Sequence, residues 1–351
     1  MVGTDGVLPL PWLAPWLSAA RRLGSHAVLL HGPQGIGQWE LATSLAQAWL
    51  CEAPAEPRPC GHCASCRLVQ SRSHPDLRVL LPEALQEPLG WSFGSDEEGA
   101  AEKGAKGRQP SKEIRVDAVR GAVEFAQTSS ARGRAKVLVV HPAERMNGIA
   151  ANALLKTLEE PPGQARFVLS CAAPEALLPT VRSRCQAVRL ALPDPAVATG
   201  WLGQQGVARP EVLLAAAGGQ PFEALAWSRG GIGAAEWLRL PAQIARNDAS
   251  GVAGWPLAQL VDALQKLAHD QLALAVGAAP RYFPLDALRP KVGLQGLIGW
   301  SRELGRVARH AEHPWNAGLA AEALVAQGAK ALSGAENARS AAATRSVHST
   351  P

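Results

Sequence analysis

His26-Ala27-Val28-Leu29-Leu30-His31-Gly32-Pro33-Gln34-Gly35-Ile36-Gly37-Gln38-Trp39 is the stretch on which the reading of the fold turns. A short apolar run meets a glycine-rich turn, and Leu41, Leu45, Ala46 and Trp49 follow at helical spacing. The order is strand, loop, helix. In the phosphate-binding loop pattern two glycines are separated by four residues and followed by Lys and then Ser or Thr. Gly32 and Gly37 hold the glycine positions, with Gly35 between them, but Gln38 stands in the lysine place and Trp39 in that of the magnesium ligand. Backbone N–H groups at a helix N-terminus attract anions whatever the side chains are. An amide, however, brings no cation to the β/γ-phosphates, and an indole binds no Mg²⁺. From these residues alone the loop is either a retired ATPase loop or a chance glycine turn.

Working outward, the pattern repeats. Residues 8–24 place Leu10, Trp12, Leu13, Trp16, Leu17, Ala20 and Leu23 on one helical face. Arg78-Val79-Leu80-Leu81, Lys136-Val137-Leu138-Val139-Val140, Phe167-Val168-Leu169-Ser170 and Ala187-Val188-Arg189-Leu190 read as further strands. Between them lie a helix opened near Ile114, with Asp117 as its expected cap, and a helix begun by Asn147. Ile149, Ala150, Ala153, Leu154, Leu155 and Leu158 are its expected buried side, and Pro161-Pro162 ends it. Strands alternating with helices predict a parallel sheet covered on both faces, an α/β fold. An acidic residue that would organise magnesium is missing where the 136–140 strand ends, in His141-Pro142.

Cys51, Cys60, Cys63 and Cys66 follow the glycine-loop helix with spacing C-x8-C-x2-C-x2-C. Four thiolates close a tetrahedral Zn²⁺ site, and the x2 spacings present paired sulfurs from one turn. With no open coordination position such a zinc is structural. The alternatives are unconnected buried thiols or a redox pair. His62 is a spare ligand, and His74-Pro75-Asp76 reads as a turn that fixes the start of the next strand. From about 83 to 111 the composition turns polar and low in complexity (Gly94, Asp96, Glu97, Glu98, Gly99, Lys103, Gly104), which predicts a mobile surface insertion.

After residue 192 the pattern is helical throughout. A small unit spans 193–236, with helices near 196–204, 210–217 and from Gly219-Gln220-Pro221 to Trp227. A second helical region spans 237–332. In it Leu257, Leu260, Val261, Leu264 and Leu267 form one apolar face, and Leu319, Ala320, Ala323 and Leu324 another. Residues 333–351 lack apolar periodicity, and a disordered tail is expected.

The chain of 351 residues carries a net charge of +5, a mild lean towards anionic partners that alone argues little for DNA. No apolar run approaches the roughly 18 residues of a bilayer span, and MVGTDGVLPLPW has no secretory-signal pattern. These two absences predict a cytoplasmic protein with reduced cysteines and no membrane partner.

The glycine loop, the four-cysteine insert, AANALLKTLEEPP at 150–162 and LLPTVRSRCQ at 177–186 together resemble the clamp-loader branch of the AAA+ ATPases. HPDL at 74–77 and HPWNAGLAAEALV at 313–325 resemble the same family, and the similarity runs from about residue 10 to 330. The resemblance implies a RecA-like AAA+ domain over 1–192 with a zinc module at 51–66. It also implies a helical lid over 193–236 and a helical collar, an oligomerisation domain, over 237–332. It further implies a hetero-pentamer with ATPase subunits and a delta subunit. That ring loads a sliding clamp onto primer-template DNA for the DNA polymerase III holoenzyme. Ser183-Arg184-Cys185 matches the motif whose arginine reaches the ATP of a neighbour, where a guanidinium supplied in trans steadies γ-phosphate charge. The zinc ligands carry over as Cys51, Cys60, Cys63 and Cys66. The sensor arginine of active relatives is missing after Pro221, where Phe222-Glu223 stand. The expectation is a subunit that lends Arg184 and does not hydrolyse ATP. A rival is a working ATPase with an unorthodox loop; another is a stand-alone zinc-containing nucleic-acid-binding protein.

Overall fold

A computed structural model describes residues 1–91, 110–310 and 317–333. The chain divides into two compact units, Met1–Val197 and Ala198–Pro351. In the first, α1 (Leu13–Arg22) leads to β1 (Ala27–His31), α2 (Gln38–Leu50), α3 (Ala64–Gln70) and β2 (Leu77–Leu80). Then come α4 (Glu83–Gln86), α5 (Val116–Gln127), β3 (Lys136–Val140), α6 (Gly148–Glu159), β4 (Ala165–Cys171), α7 (Pro179–Arg182) and β5 (Gln186–Arg189).

The five strands form one parallel sheet in the order β2-β3-β4-β1-β5, with Leu29 opposite Leu169 and Ala187, and Leu138 opposite Phe167. Strands buried on both faces read as unbroken apolar runs, and every residue of β3 is buried. Leu29, Leu138, Val140, Phe167 and Leu169 share a core with Val119, Ala122 and Ala126 of α5 and with Ala150, Leu154 and Leu158 of α6. Val28, Leu30, Val139 and Val168, one residue out of phase, are buried on the other face. There α2 packs against β1, β3 and β4. The α/β layering expected from the alternation is therefore present. Because the strands are parallel, the loops after β1, β3 and β4 meet at one carboxyl edge, where such sheets build their sites.

Asn147 caps α6 through a bond from the Ala150 N–H to its Oδ1 at 3.0 Å. Several helical details differ from expectation. The first helix begins only at Leu13; Pro9 and Pro11 lack N–H groups, so Leu10 and Trp12 are buried from an irregular strap ahead of it. Asp117 lies within the first turn of α5 and caps nothing, since Arg115 holds the cap position without a side-chain bond. Ile149 is 67% exposed, because the buried stripe of α6 runs through Ala150, Leu154 and Leu158, and residue 149 falls about 100° round the helix. The stretch from 83 begins as the short α4 and delivers a buried Trp91; the expectation for 92–109 lies outside the described residues.

The second unit is helical: α8 (Pro195–Gln204), α9 (Pro210–Ala216), α10 (Pro221–Arg229), α11 (Ala234–Ala245), α12 (Leu257–Ala275), α13 (Leu294–Ala308) and α14 (Ala317–Ser333), with α8 starting at the end of the first. Ala216, Trp227 and Ile232 share one buried cluster with Trp237, Leu264 and Trp300. Trp237 stacks on Phe283 with ring centroids 4.4 Å apart. The face expected on the last helix is shifted. Leu319 and Ala323 are exposed, whereas Leu324, Val325, Ala331 and Leu332 are buried. Gly328 sets that phase: a Cβ there would lie 2.6 Å from Ile244 and 2.9 Å from the Trp300 ring, so only glycine allows this approach. Of the tail expected at 333–351, Ser333 is instead the last residue of α14, its hydroxyl donating to the Lys330 carbonyl at 3.1 Å; 334–351 lie outside the described residues, as do His313, Pro314 and Trp315. No helix among the described residues is long and apolar enough to cross a membrane.

Candidate functional site

The glycine loop leaves β1 at the carboxyl edge. Leu190 N–H donates to the His31 carbonyl at 2.7 Å, and a Cβ at Gly32 would lie 2.4 Å from the Leu190 carbonyl oxygen. Position 32 is glycine because β5 passes too close for any side chain. Gly35 and Gly37 have φ of 73° and 100°, and Gly37 precedes the first residue of α2. The loop backbone is held from outside by Trp12, whose indole N–H donates to the Ile36 carbonyl at 2.8 Å. Gln38, in the lysine place, is buried. Its amide donates back to the Gly32 carbonyl at 3.0 Å and to the Pro33 carbonyl. The side chain that would meet a phosphate is thus tied to the loop that presents it.

Trp39 stands in the metal-ligand place. Its ring lies 5.3 Å from that of His141 and meets Trp91 edge-on at 5.9 Å, favourable aromatic geometries. His141 Nδ1 is 2.8 Å from Ser170 Oγ on β4, and burial pushes its pKa down to about 4, so the ring is neutral near pH 7. Strand ends β1, β3 and β4 therefore converge on three packed rings, with no oxygen ligand offered from positions 39 or 141. Nearby, the His31 pKa is lowered by burial and then by Arg189 and Arg182.

Arg184 follows the single turn of α7. Bonds from Ser183 N–H to the Pro179 carbonyl at 2.9 Å and from Arg184 N–H to the Val181 carbonyl at 3.2 Å fix the turn. Ser183 is exposed and its hydroxyl donates to the Thr180 carbonyl at 3.1 Å. The Arg184 guanidinium donates through Nη1 to the Thr180 carbonyl at 2.9 Å and to Ser183 Oγ at 3.3 Å, and through Nη2 to the Glu159 carboxylate. Cys185 packs against the core beneath α6, and burial pushes its thiol up to about 12, so it is inert and structural in character.

Cys51, Cys60, Cys63 and Cys66 do come together, with all four sulfurs within 4.8 Å of one another. Cys51 and Cys63, and Cys60 and Cys66, are each 4.0 Å apart. That is too far for a disulfide and close to the ~3.8 Å edge of a tetrahedron with Zn–S bonds of about 2.3 Å. The N–H groups of Cys63 and Cys66 point at the sulfurs of Cys60 and Cys63 at 3.3 and 3.4 Å, which favours thiolates. Burial pushes the Cys51 and Cys66 thiols up. Against burial, the N–H groups of Cys63 and His62 bring Cys60 down to about 6. A cation is what would let all four ionise together. The set can hold a metal ion, and its soft donors fit. His62 is exposed and outside the set.

His74 is buried. Its Nδ1 accepts the Asp76 N–H at 3.0 Å and its Nε2 lies 2.8 Å from Ser65 Oγ on α3, which donates to the Leu50 carbonyl at 2.7 Å. Asp76 accepts from Ala131 N–H, Arg132 N–H, Ser130 Oγ and Lys136 Nζ. The expected turn role holds, and it also ties the cysteine module to the sheet. Two residues at the site carry little signal in the sequence: Glu159, a charged residue near the end of a helix, and Trp91, a lone tryptophan at the edge of a polar run.

A parallel sheet in this order, with a glycine loop between a central strand and its helix and a helical unit after it, defines the RecA-like sheet domain of an AAA+ protein. A family model described as DNA polymerase III, delta subunit, matches residues 18–194. The chain is 38% identical over 220 residues to DNA polymerase III subunit delta' of Pseudomonas aeruginosa, covering 60% of each. It is 33% identical over 279 residues to that subunit of Escherichia coli, covering 73% of this chain and 76% of the relative. With the Yersinia pestis subunit it shares 34% over 283 residues, covering 72% and 76%. The chain belongs to the DNA polymerase III delta-prime subunit family.

Proposed function

We propose that this chain is a clamp-loader subunit that does not hydrolyse ATP at its own loop and lends Arg184 to the triphosphate of a neighbouring subunit. The observation that carries the reading is the contrast in side-chain fate. At the glycine loop both chemical positions are occupied by groups turned inward, Gln38 on loop carbonyls and Trp39 on rings. Arg184 keeps a third of its side chain at the surface, on the one motif of the site that retains its charge. A guanidinium in trans steadies charge on the equatorial oxygens of the transferring phosphoryl group. In this reading the helical region from α8 onward supplies the lid over 193–236 and the collar over 237–332. The partners are ATPase subunits and delta in a hetero-pentamer, acting in the cytoplasm on a sliding clamp and primer-template DNA.

The four cysteines hold one structural Zn²⁺ in the same reading. Its part is to fasten the segment between α2 and β2, leaving no coordination position for a substrate. Metal analysis of the purified chain is expected to return about one zinc per chain, and chelation to lower the unfolding temperature. A metal-free chain of unchanged stability removes this assignment.

Two measurements test the reading on ATP. The isolated chain, freed of contaminating ATPases, is expected to show no turnover; measurable turnover that follows the chain through purification overturns it. In a ring reconstituted with partner subunits, Arg184→Ala is expected to lower ATP turnover by at least about threefold. Loss of a trans arginine costs about 10³-fold at the single site it serves, while other sites in the ring dilute the effect.

A further inference from the structure

A guanidinium has five N–H groups in a rigid fork, and it grips phosphate best through two parallel ones. In this chain the Arg184 fork is already in use. Nη1 donates to the Thr180 carbonyl at 2.9 Å and to Ser183 Oγ at 3.3 Å, Nη2 donates to Glu159, and Nε is buried with no partner. Glu159 is the last residue of α6, 25 positions earlier in the chain. Its backbone is held by the buried Leu154 and Leu158 just before it, so its carboxylate is delivered to the arginine by the core packing of α6. The side chains of Arg184 and Glu159 are 31% and 46% exposed. A pair this open is screened by salt and weak.

We propose that Glu159 parks Arg184, holding the guanidinium against the subunit's own surface until a nucleoside triphosphate on the neighbouring subunit displaces the carboxylate. The inference rests on the proposal that Arg184 works in trans. A single carboxylate offers one negative charge and a triphosphate several, so the exchange runs towards the nucleotide once it is bound. While parked, the arginine is unavailable, and the apparent affinity of the neighbouring site falls by the unparked fraction. Glu159 is thus a positioning residue that sets a threshold of ATP concentration, and it touches no reacting atom.

The test is steady-state ATP turnover of the reconstituted ring carrying Glu159→Gln, Arg184→Ala or both. Gln keeps the shape and the acceptor oxygen and removes the charge. Glu159→Gln is expected to lower the half-saturating ATP concentration about two- to fivefold, the range of an exposed ion pair, with maximal turnover unchanged. The difference should shrink as salt is raised. In the Arg184→Ala background the Glu159 substitution should do nothing. Unfolding of the Glu159→Gln subunit reports that the fold is intact. An unchanged or higher half-saturation, a fall in maximal turnover, or an effect that persists without Arg184 each overturns the parking role while leaving the arginine finger standing. If Arg184→Ala alone leaves turnover unchanged, the finger reading fails and the parking role fails with it.

Discussion

The glycine loop and the Ser183-Arg184-Cys185 turn lie in the same unit and differ in where their side chains go, inward at the loop and to the surface at the turn. The loop keeps the backbone of a phosphate cradle: Gly32 allows β5 to pass, Gly37 takes a left-handed φ of 100°, and α2 begins directly behind it. The side chains at positions 38 and 39 turn inward, Gln38 onto the Gly32 and Pro33 carbonyls and Trp39 onto His141. The turn, by contrast, has an unexceptional backbone of one helical turn and keeps a permanent positive charge near solvent. The difference teaches that a loop's backbone geometry and the chemistry of its side chains are set by different contacts. A cradle can persist because it packs, since Ile36 is fully buried and Trp12 is bonded to its carbonyl. An exposed arginine gains little stability from its surroundings, because surface ion pairs contribute at most about 1 kcal/mol.

The sharpest way to break this contrast is to substitute one residue from each side and read both stability and turnover. Arg184→Ala is expected to give the largest effect, the fall in ring turnover given above, with unfolding of the subunit shifted by less than about 1 kcal/mol. Trp39→Ala is expected to do the reverse. Removing this half-buried ring, packed between His141 and Trp91, should cost about 2 kcal/mol in unfolding free energy, less than the roughly 3 kcal/mol of a fully buried one, with assembled turnover unchanged. A smaller effect sharpens the picture of the metal position. The folded-state pKa of His141 lies near 4, below its unfolded value near 6.5, so the unfolded chain binds the extra proton first. The stability that comes from keeping the ring neutral is complete above about pH 6.5 and is lost as pH falls towards 4, amounting to about 2 kcal/mol at pH 5. Unfolding measured from pH 7.5 to 4.5 should show this loss, and His141→Asn should flatten it. An equal slope in the variant would mean that the ring is not the group being titrated.

Much of the site was legible before any coordinates. Cys51, Cys60, Cys63 and Cys66 stand at ligand spacing, and their sulfurs do converge. Asn147 precedes an apolar-periodic run and does cap α6. Both signals are local, set by a turn or a single helix end. Glu159 was not legible as the partner of Arg184, because the pair is 25 residues apart and each residue alone is an ordinary surface charge. Trp91 sits at the border of a glycine-rich, charged stretch, and its burial rests on contacts distant in sequence, the Trp39 ring and the Arg72 guanidinium. Phase errors on helices have the same origin. The Ile149 and Leu319 positions satisfy a helical period by composition, yet the neighbouring elements select a stripe displaced by one residue.

The amino-acid sequence by itself determined the alternation of strand and helix, the presence of Gln38, Trp39 and His141 where the phosphate-loop pattern has lysine, Ser/Thr and an acid, the cysteine spacing and the presence of the Ser-Arg-Cys turn. Those are properties of residues a few positions apart, where spacing and side-chain chemistry suffice. Tertiary structure alone decided that Gln38 closes on its own loop, that three rings pack beside the metal position, and that Arg184 rests on Glu159. Each of these depends on which of several equally available partners a side chain meets. That choice is made by how α2, α6 and the sheet pack, and no local pattern encodes it.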